Sequence, residues 1–333
     1  MRETLLIGDI EDKYAFAKLG DTEGLYKASY DDILDNELPE IPHQISIFPF
    51  FPMRYWNEHI EGRYYYGVYG NYSFYTKFRS FWERINNLLS ERYFWQDITY
   101  VNHPLNIPIC RDKELMKSFL KRQNIRIPRS YYTRNYHQII SLLEKGRKLF
   151  VKARCGSMGK GITYLEKGMW QSNLKFHENS IISRKSDKGW EFNEVTDNMD
   201  FLKDLLRTDV VIEDAIDTYS MDGEIFDIRV IILKNEFLYM YPRINRAEKI
   251  ITNISQGAKR GTMSMIPTMN ESTINDIKRI AVKSVSALGL GFAGVDILLD
   301  KDFGIYVLEV NAFPGLTEEM LKIVLDKEKN KNV

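Results

Sequence analysis

The stretch GFAGVDILLDKDFGIYVLEVNAFPG, residues 291–315, constrains the fold of this chain more than any other segment. Two runs of apolar residues flank a short polar turn, a pattern that predicts an antiparallel hairpin. If Asp300 faces Ile305 across that turn, the same register places Asp296 opposite Glu309. Two carboxylates are therefore expected to face each other on neighbouring strands.

The two facing acids indicate a cation-binding site. Residues two apart on a strand share a face, so Asn311 joins Glu309, while Leu308 and Val310 point to the opposite face, into the expected core. Like charges opposed in a sheet repel each other, but a divalent cation with oxygen ligands reverses that penalty. Two carboxylates and an amide oxygen suit Mg2+, which commonly shares its shell with substrate phosphates. The alternative is a surface hairpin whose acids are solvated.

A glycine-rich turn follows Lys152 in the segment 149–167. Apolar β-formers on both sides of GSMGKG predict a second hairpin. Glycines let a backbone approach phosphate oxygens, and a lysine at the end of the preceding strand supplies compensating charge. The segment does not match the P-loop pattern, because Gly161 is followed by Ile162 and a strand. It predicts a phosphate-binding flap or, in the alternative, an ordinary glycine-containing turn.

Composition excludes several classes of function. The 333 residues carry 46 Lys and Arg against 46 Asp and Glu, and this zero net charge argues against binding nucleic acid or membranes through bulk charge. No apolar run approaches the roughly 20 residues of a membrane-spanning helix. Two cysteines, Cys110 and Cys155, are too few for a disulfide framework. We expect no nucleic-acid partner, no membrane association and, because acidic residues come early in the sequence, a cytoplasmic location.

The other patterns alternate between helices and strands. Residues 110–128 predict a helix capped by an aspartate, and residues 272–288 predict a second amphipathic helix. Residues 210–217 and 226–246 are typical of strands in one antiparallel sheet. This mixture predicts an α+β fold.

The first hundred residues are unusually aromatic. A short strand is expected at Leu5 to Ile7, and the rings are concentrated between Phe48 and Tyr100. We interpret them as packing within the core and between lobes, since large rings dominate the energetics of burial. A substrate-facing aromatic wall is the alternative.

Taken in order, these motifs resemble the ATP-grasp superfamily, in particular the RimK-type carboxylate-amine ligases, which add glutamate to peptides and cofactors. The resemblance covers approximately residues 104–320. It implies an ATP-grasp fold, in which two α+β lobes grip ATP, preceded by an N-terminal α/β pre-ATP-grasp domain. The implied domains are residues 1–105, a central lobe 106–209 with the flap, and a C-terminal lobe 210–333 with the magnesium site.

The resemblance also implies which residues bind ATP and metal. Lys113 and Lys152 would hold the phosphates, and the segment VVIEDAID, residues 210–217, would receive adenine and ribose. The magnesium triad of the family is matched by two acids and one amide on the 291–315 hairpin. The implied flap residues are Gly156, Ser157, Met158, Gly159 and Gly161; the adenine and ribose residues are Glu213, Asp214, Ala215 and Asp217; the magnesium ligands are Asp296, Glu309 and Asn311.

By the same resemblance, Arg229 and Arg243 look like the catalytic arginines of the reaction centre. The phrase TNISQGAK, residues 252–259, is similar to the substrate-side loop of the family. The Arg-Gly-Gly usual in that loop is absent, so contacts to the acceptor are expected to differ. The implied substrate residues are Arg246, Asn253, Gln256 and Gly257.

The resemblance implies an ATP-dependent ligase that activates a substrate carboxylate as an acyl phosphate and joins it to an amine, with release of ADP and phosphate. The implied cofactors are ATP and Mg2+, and the implied partner is an amino acid or a peptide substrate. Closure of the flap and of a mobile loop at 247–265 would exclude water. Three alternatives share the ATP site: a kinase that phosphorylates a hydroxyl, a peptide-modifying ligase that forms ester or amide crosslinks, and a non-catalytic ATP-binding module. The sequence leaves homo-oligomer formation open.

Overall fold

The computed structural model describes residues 3–9, 16, 24–42, 44–61, 68–177, 180–182, 190–266, 269–315 and 323. Within these ranges the chain forms one four-stranded sheet, two six-stranded sheets and a two-stranded ribbon. The helices of these ranges include none with both the length and the apolar character that crossing a bilayer requires.

The N-terminal sheet is parallel, with strand order β2-β1-β3-β4. Parallel neighbours require crossover connections, and within the described residues α1 lies between β2 and β3, while α2, a π-helical segment and α3 lie between β3 and β4. The N-terminal region is therefore α/β, and the strand expected at Leu5 to Ile7 lies inside β1. The elements are β1 (Glu3–Gly8), β2 (Leu25–Ser29), α1 (Tyr30–Leu34), β3 (Gln44–Pro49), α2 (Met53–Tyr55), a π-helical segment (Trp56–Glu61), α3 (Tyr72–Arg92) and β4 (Asp97–Tyr100).

The aromatic residues of α3 form much of the N-terminal core. Phe74, Phe78 and Trp82 are all buried, and their rings contact Trp56 or one another edge-on. Trp82 also stacks on Phe313 at a centroid distance of 5.8 Å, which joins the N-terminal region to the end of the C-terminal sheet. The interpretation of these rings as core and interlobe packing is confirmed for α3.

The central sheet is antiparallel, with order β11-β8-β7-β6-β12-β5. The predicted hairpin is confirmed, because Lys152 on β6 pairs with Ile162 on β7. The elements are a 3-10 turn (Ile107–Arg111), α4 (Lys113–Arg122), β5 (Ser130–Tyr131), α5 (Tyr136–Glu144), β6 (Leu149–Ala153), β7 (Ile162–Glu166), β8 (Met169–Ser172), β9 (Lys175–His177), β10 (Ser180–Ile182), β11 (Asn193–Glu194), α6 (Met199–Arg207) and β12 (Val210–Asp214).

The C-terminal sheet has the order β16-β15-β14-β17-β18, with β13 paired to β14. Helix α7 covers one face and buries Ile277, Ala281 and Val285, so the other face is left for the cavity described below. The elements are β13 (Ser220–Met221), β14 (Glu224–Leu233), β15 (Glu236–Arg246), a 3-10 turn (Ile254–Gln256), β16 (Lys259–Arg260), a 3-10 turn (Met263–Met265), α7 (Glu271–Ala287), β17 (Phe292–Leu299) and β18 (Ile305–Asn311).

One predicted sheet is wrong. Residues 210–217 and 226–246 do not share a sheet, because β12 pairs with β6 in the central sheet while β14 and β15 pair in the C-terminal sheet. The central sheet therefore continues to Asp214, past the predicted domain boundary after Asp209. The apolar run of β12 shows that it is a buried strand but contains no information about its pairing partner.

Candidate active site

A cavity lies between the central and C-terminal sheets, and much of the predicted site meets there. Helix α4, strands β6, β12, β14, β15, β17 and β18, the flap and the loop at 250–253 contribute to its wall. The predicted residues that line it are Lys113, Lys152, Gly156, Ser157, Met158, Gly159, Glu213, Asp214, Arg243, Asn253, Asp296 and Glu309. The predicted residues outside the lining are Gly161, Ala215, Asp217, Arg229, Arg246, Gln256, Gly257 and Asn311.

The hairpin of β17 and β18 brings its acids together by a register different from the one expected. Asp296 does face Glu309, but Leu299, not Asp300, pairs with Ile305. A β-bulge on β18 at Leu308 absorbs the one-residue difference. The bulge also overturns the expectation for Leu308, which lines the cavity and does not enter the core.

Asp296 is held by two arginines. It is buried; the Arg243 guanidinium contacts its Oδ2 at 2.8 Å and that of Arg229 donates to the same oxygen at 3.1 Å. Burial alone would raise the pKa of Asp296, but the two guanidinium groups hold it below its ordinary value. Arg243 also donates to Asp227 at 2.7 Å, so the two predicted catalytic arginines are fixed by buried carboxylates.

A second charged cluster surrounds Glu213 on β12. Its carboxylate is 3% exposed and accepts from both Lys152 on β6 and Lys117 on α4. Lys117 is not among the residues predicted from the sequence, although it lies one helical turn after Lys113 and therefore on the same face. That spacing is the signal that could have identified it.

Lys113 is positioned by the start of α4. Asp112 accepts from the backbone N–H groups of Glu114 and Leu115, which caps the helix as predicted. The same carboxylate receives Nε of Arg154 at 2.9 Å, and the Lys113 amide donates to the Arg154 carbonyl at 3.1 Å. The helix start is thereby tied to the turn after β6, which places the Lys113 ammonium against the flap.

The lysines carry a charge that nothing nearby fully balances. Burial, and then repulsion by Lys113, lowers the pKa of Lys152 to about 8. Burial lowers the pKa of Lys113 against the attraction of Glu309, and burial together with Lys152 lowers that of Lys117. The site therefore disfavours the charged form of its lysines. A polyanionic ligand would favour that charged form, so the site is suited to bind one.

The flap between β6 and β7 lies over the cavity and touches the substrate-side loop. Met158 and Gly159 at its tip have φ angles of 59° and 71°, and the Met158 carbonyl accepts from Ser255 Oγ at 2.9 Å and Gln256 Nε2 at 3.1 Å. Gln256 therefore contacts the flap, although it does not line the cavity. Gln256, Gly257 and Ala258 stand where the family usually has Arg-Gly-Gly. In this chain Gln256 of that segment holds the flap tip.

The predicted adenine segment is hydrogen-bonded to neighbouring residues of the central lobe and lies beside an apolar part of the cavity wall. The Ala215 amide donates to the Lys148 carbonyl at 2.8 Å, and Asp214 accepts from the Tyr131 hydroxyl at 2.7 Å. Asp217 instead lies outside, 57% exposed and paired with Lys148 at 3.4 Å. Apolar lining at this end comes from Pro128, Phe150, Ile162, Ile216, Phe226 and Leu298.

The carboxylate oxygens of Asp296 and Glu309 are suitable ligands for a hard cation such as Mg2+, but two carboxylates alone are too few. Glu309 lies 4.0 Å from the Lys113 ammonium, too far for a hydrogen bond. The contacts of Arg229 and Arg243 use only part of the roughly four lone-pair sites of Asp296. Among the described residues no group of three or more His, Cys, Asp or Glu could hold a metal alone. A cation here would need the amide of Asn311 and oxygens of the substrate.

The structure thus has two lobes with antiparallel sheets, a glycine-rich flap beside Lys113 and Lys152, and the facing acids Asp296 and Glu309, which is the arrangement that the ATP-grasp resemblance predicts. The family model for YheC/D-like ATP-grasp proteins matches residues 102–331, and the chain belongs to that family. The ATP-grasp resemblance is thereby confirmed. ATP-grasp ligases use ATP.

Two curated relatives are alpha-L-glutamate ligases by name. The tetrahydromethanopterin:alpha-L-glutamate ligase of Methanocaldococcus jannaschii is 26% identical over 224 residues, which is 67% of this chain and 65% of the relative. A probable alpha-L-glutamate ligase of Mannheimia succiniciproducens is 27% identical over 222 residues, 66% of this chain and 62% of the relative. The chain thus spans a little less than two thirds of the length of these relatives.

Among solved structures, a RiPP-associated ATP-grasp ligase of Chryseobacterium gregarium, in complex with ADP and a leader and core peptide, has a TM-score of 0.59 to this chain at 14% identity. The superposition covers 99% of this chain and 97% of the other. The likeness confirms the ATP-grasp fold.

Proposed function

We propose that this protein is an ATP-dependent ligase that activates a carboxylate as an acyl phosphate and joins it to an amine, forming an amide with release of ADP and phosphate. The observation that carries the proposal is one cavity lined by Lys113, Lys117 and Lys152 from α4 and β6 and by the Asp296 and Glu309 carboxylates from the C-terminal sheet. A triphosphate bridged to a cation has the charge pattern that fits between them.

In this proposal Lys113 and Lys152 bind the phosphates, and the apolar end of the cavity holds adenine. Asp296, Glu309 and Asn311 would hold Mg2+, which would supply charge neutralisation to the triphosphate. The flap residues Gly156 to Gly161 would close over the phosphates through backbone amides.

The proposed reaction has two steps. A carboxylate oxygen of the substrate forms a bond to the γ-phosphorus in line with the departing ADP oxygen, which gives an acyl phosphate. The amine nitrogen then attacks the acyl carbon, loses a proton and expels phosphate. Arg229 and Arg243 lie beside Asp296, where a guanidinium can stabilise the tetrahedral oxyanion. The closed flap keeps water from the acyl phosphate.

The proposed substrates are an amino acid or a peptide with a free carboxylate and an amine acceptor. The support comes from the names of the relatives, which are glutamate ligases, and from the structural neighbour that carries a leader and core peptide. A peptide-modifying ligase that forms crosslinks is the second candidate on the same support from that neighbour.

The proposal is tested by screening acids and amines in pairs for phosphate release with ATP, followed by mass determination of the product. Release that needs both partners, with a product that has joined them, supports the ligase. A stable phosphate ester formed without an amine would instead establish a kinase. Tight binding of ATP with no turnover across the screen would leave a nucleotide-binding module, and either result contradicts the proposal.

A further inference from the structure

The flap contacts the N-terminal domain through residues that do not line the ATP cavity. The contacts come from the π-helical segment Trp56–Glu61 and from residues 68–71, just before α3. Because a phosphate flap acts by closing, groups that fix its position affect both nucleotide binding and the exclusion of water.

A buried ion pair is the main contact. Lys160 of the flap is 3% exposed, and its ammonium lies 2.8 Å from Glu61 Oε1. The ammonium also lies 4.9 Å from the centre of the Tyr69 ring, within the range of a cation–π contact. The other oxygen of Glu61 accepts from the Trp56 indole N–H at 2.5 Å, so the carboxylate is itself held in place.

Tyr69 makes a second contact from the same side. The Ser157 amide donates to the Tyr69 phenol oxygen at 3.3 Å, and the phenol lies 3.2 Å from Ser157 Oγ. The Cys155 amide donates to the Gly70 carbonyl at 2.8 Å. A Cβ at Gly70 would lie 2.6 Å from the Gly156 nitrogen, so the two backbones meet at a distance that only glycine permits there.

The flap is therefore held from two directions. Its tip carbonyl at Met158 accepts from the substrate-side loop of the C-terminal lobe, and its base is bound by Glu61 and Tyr69 of the N-terminal domain. Neither N-terminal residue lines the ATP cavity, and both act on the flap through Ser157 and Lys160.

We infer that Glu61 and Tyr69 are positioning residues that latch the flap in its closed position, so that the N-terminal domain controls retention of nucleotide and protection of the acyl phosphate. This inference rests on the proposed ATP-dependent ligase. Lys160 is assigned to the latch and not to the phosphates, because its ammonium points to Glu61. The latch explains why an N-terminal domain that holds none of the predicted catalytic groups is packed against the flap.

The test compares Glu61→Gln, which keeps the shape and removes the charge, with Glu83→Gln on the exposed face of α3 as the matched control. We expect Glu61→Gln to raise the Kd for the non-hydrolysable analogue AMPPNP with Mg2+ about tenfold, as for loss of a buried charged partner. Hydrogen exchange of the flap amides at 156–161 should quicken, and ATP hydrolysis without an amine should increase relative to amide formation. Glu83→Gln should change none of these.

Two further variants separate a latch from general damage to the fold. Tyr69→Phe removes only the hydroxyl and should speed exchange at Ser157 with unchanged thermal stability of the rest of the chain. In the double variant Glu61→Gln with Lys160→Met no lysine is buried without its partner, so part of the lost AMPPNP affinity should return.

The latch is overturned if Glu61→Gln and Tyr69→Phe fold normally and leave both the AMPPNP affinity and the flap exchange within twofold of wild type. Failure of the proposed function is distinct, because it would appear in the wild-type protein as absent AMPPNP binding, as a stable phosphate ester or as no turnover in the screen of acids and amines. In that case exchange of the flap amides in the nucleotide-free protein still decides whether the latch exists.

Discussion

Replacing Glu213 by glutamine removes a buried carboxylate that accepts hydrogen bonds from two lysine ammonium groups. The side chain is 3% exposed, and Lys117 and Lys152 each contact one of its oxygens. Removing one partner of a buried ion pair costs about 3–5 kcal/mol, because the remaining charge is left uncompensated. We expect Glu213→Gln to lose about this much stability at pH 7.

Replacement of Lys117 by methionine is the informative comparison. It removes a buried cation that repels Lys152 and leaves Glu213 paired with Lys152. We expect a loss of about 1 kcal/mol or less, since exchanging part of a buried charge cluster for an apolar group of similar length is often neutral. Glu213→Gln is expected to be the more destabilising change, because it leaves two cations with no acid. Lys117→Met leaves one cation paired with one acid.

Urea unfolding followed by tryptophan fluorescence and far-UV circular dichroism measures both variants, with the exposed Lys167→Met as control because its pair with Glu144 is solvated. Destabilisation by Lys117→Met as strong as that by Glu213→Gln would contradict the uneven charge balance of the cluster. Unfolding of Glu213→Gln at the same urea concentration as the control would contradict it as well.

Two other predictions concern the site, and a third concerns the buried cysteines. Lys152 has a pKa lowered to about 8, and bound phosphates favour its charged form, so AMPPNP affinity should fall as the pH rises above 8. Calorimetry in buffers of different ionisation enthalpy should detect proton uptake on binding at pH 8–9. Lys152→Met should abolish most of this uptake. Glu309→Ala should keep the wild-type circular dichroism and make no ADP with both substrates present, and retained full activity would remove the hairpin acids from the mechanism. Cys110 and Cys155 are buried, with pKa values raised to about 12 by burial, so they should resist a thiol-reactive disulfide reagent in the native protein and react on unfolding.

Local patterns in the sequence predicted most of the elements that build the site. The cap at Asp112, the hairpin after Lys152 and the helix near 272–288 follow from periodicity, capping and turn residues, which act over a few neighbours. The facing of Asp296 and Glu309 was predicted as well, but through a turn register that the bulge at Leu308 corrects. The predicted turn register was wrong by one residue, and the bulge, which no sequence pattern marks, was not predicted. The two errors cancelled, so Asp296 and Glu309 were still placed opposite each other.

Long-range relations were beyond the reach of the sequence. The pairing of β12 with β6 and the position of Lys117 beside Glu213 join segments that are 61 and 96 residues apart. Nothing in the local pattern of either segment specifies the other. The same holds for Glu61 and Lys160, which are 99 residues apart. Such contacts are decided by how the lobes pack, and a single sequence gives no measure of that.

A crystal structure with AMPPNP and Mg2+ tests the central claim most directly. We expect phosphate oxygens within hydrogen-bond distance of the Lys113 and Lys152 ammonium groups, with the metal on Asp296 and Glu309 and the flap closed above them. A nucleotide bound elsewhere, or a metal with no contact to either carboxylate, would contradict it.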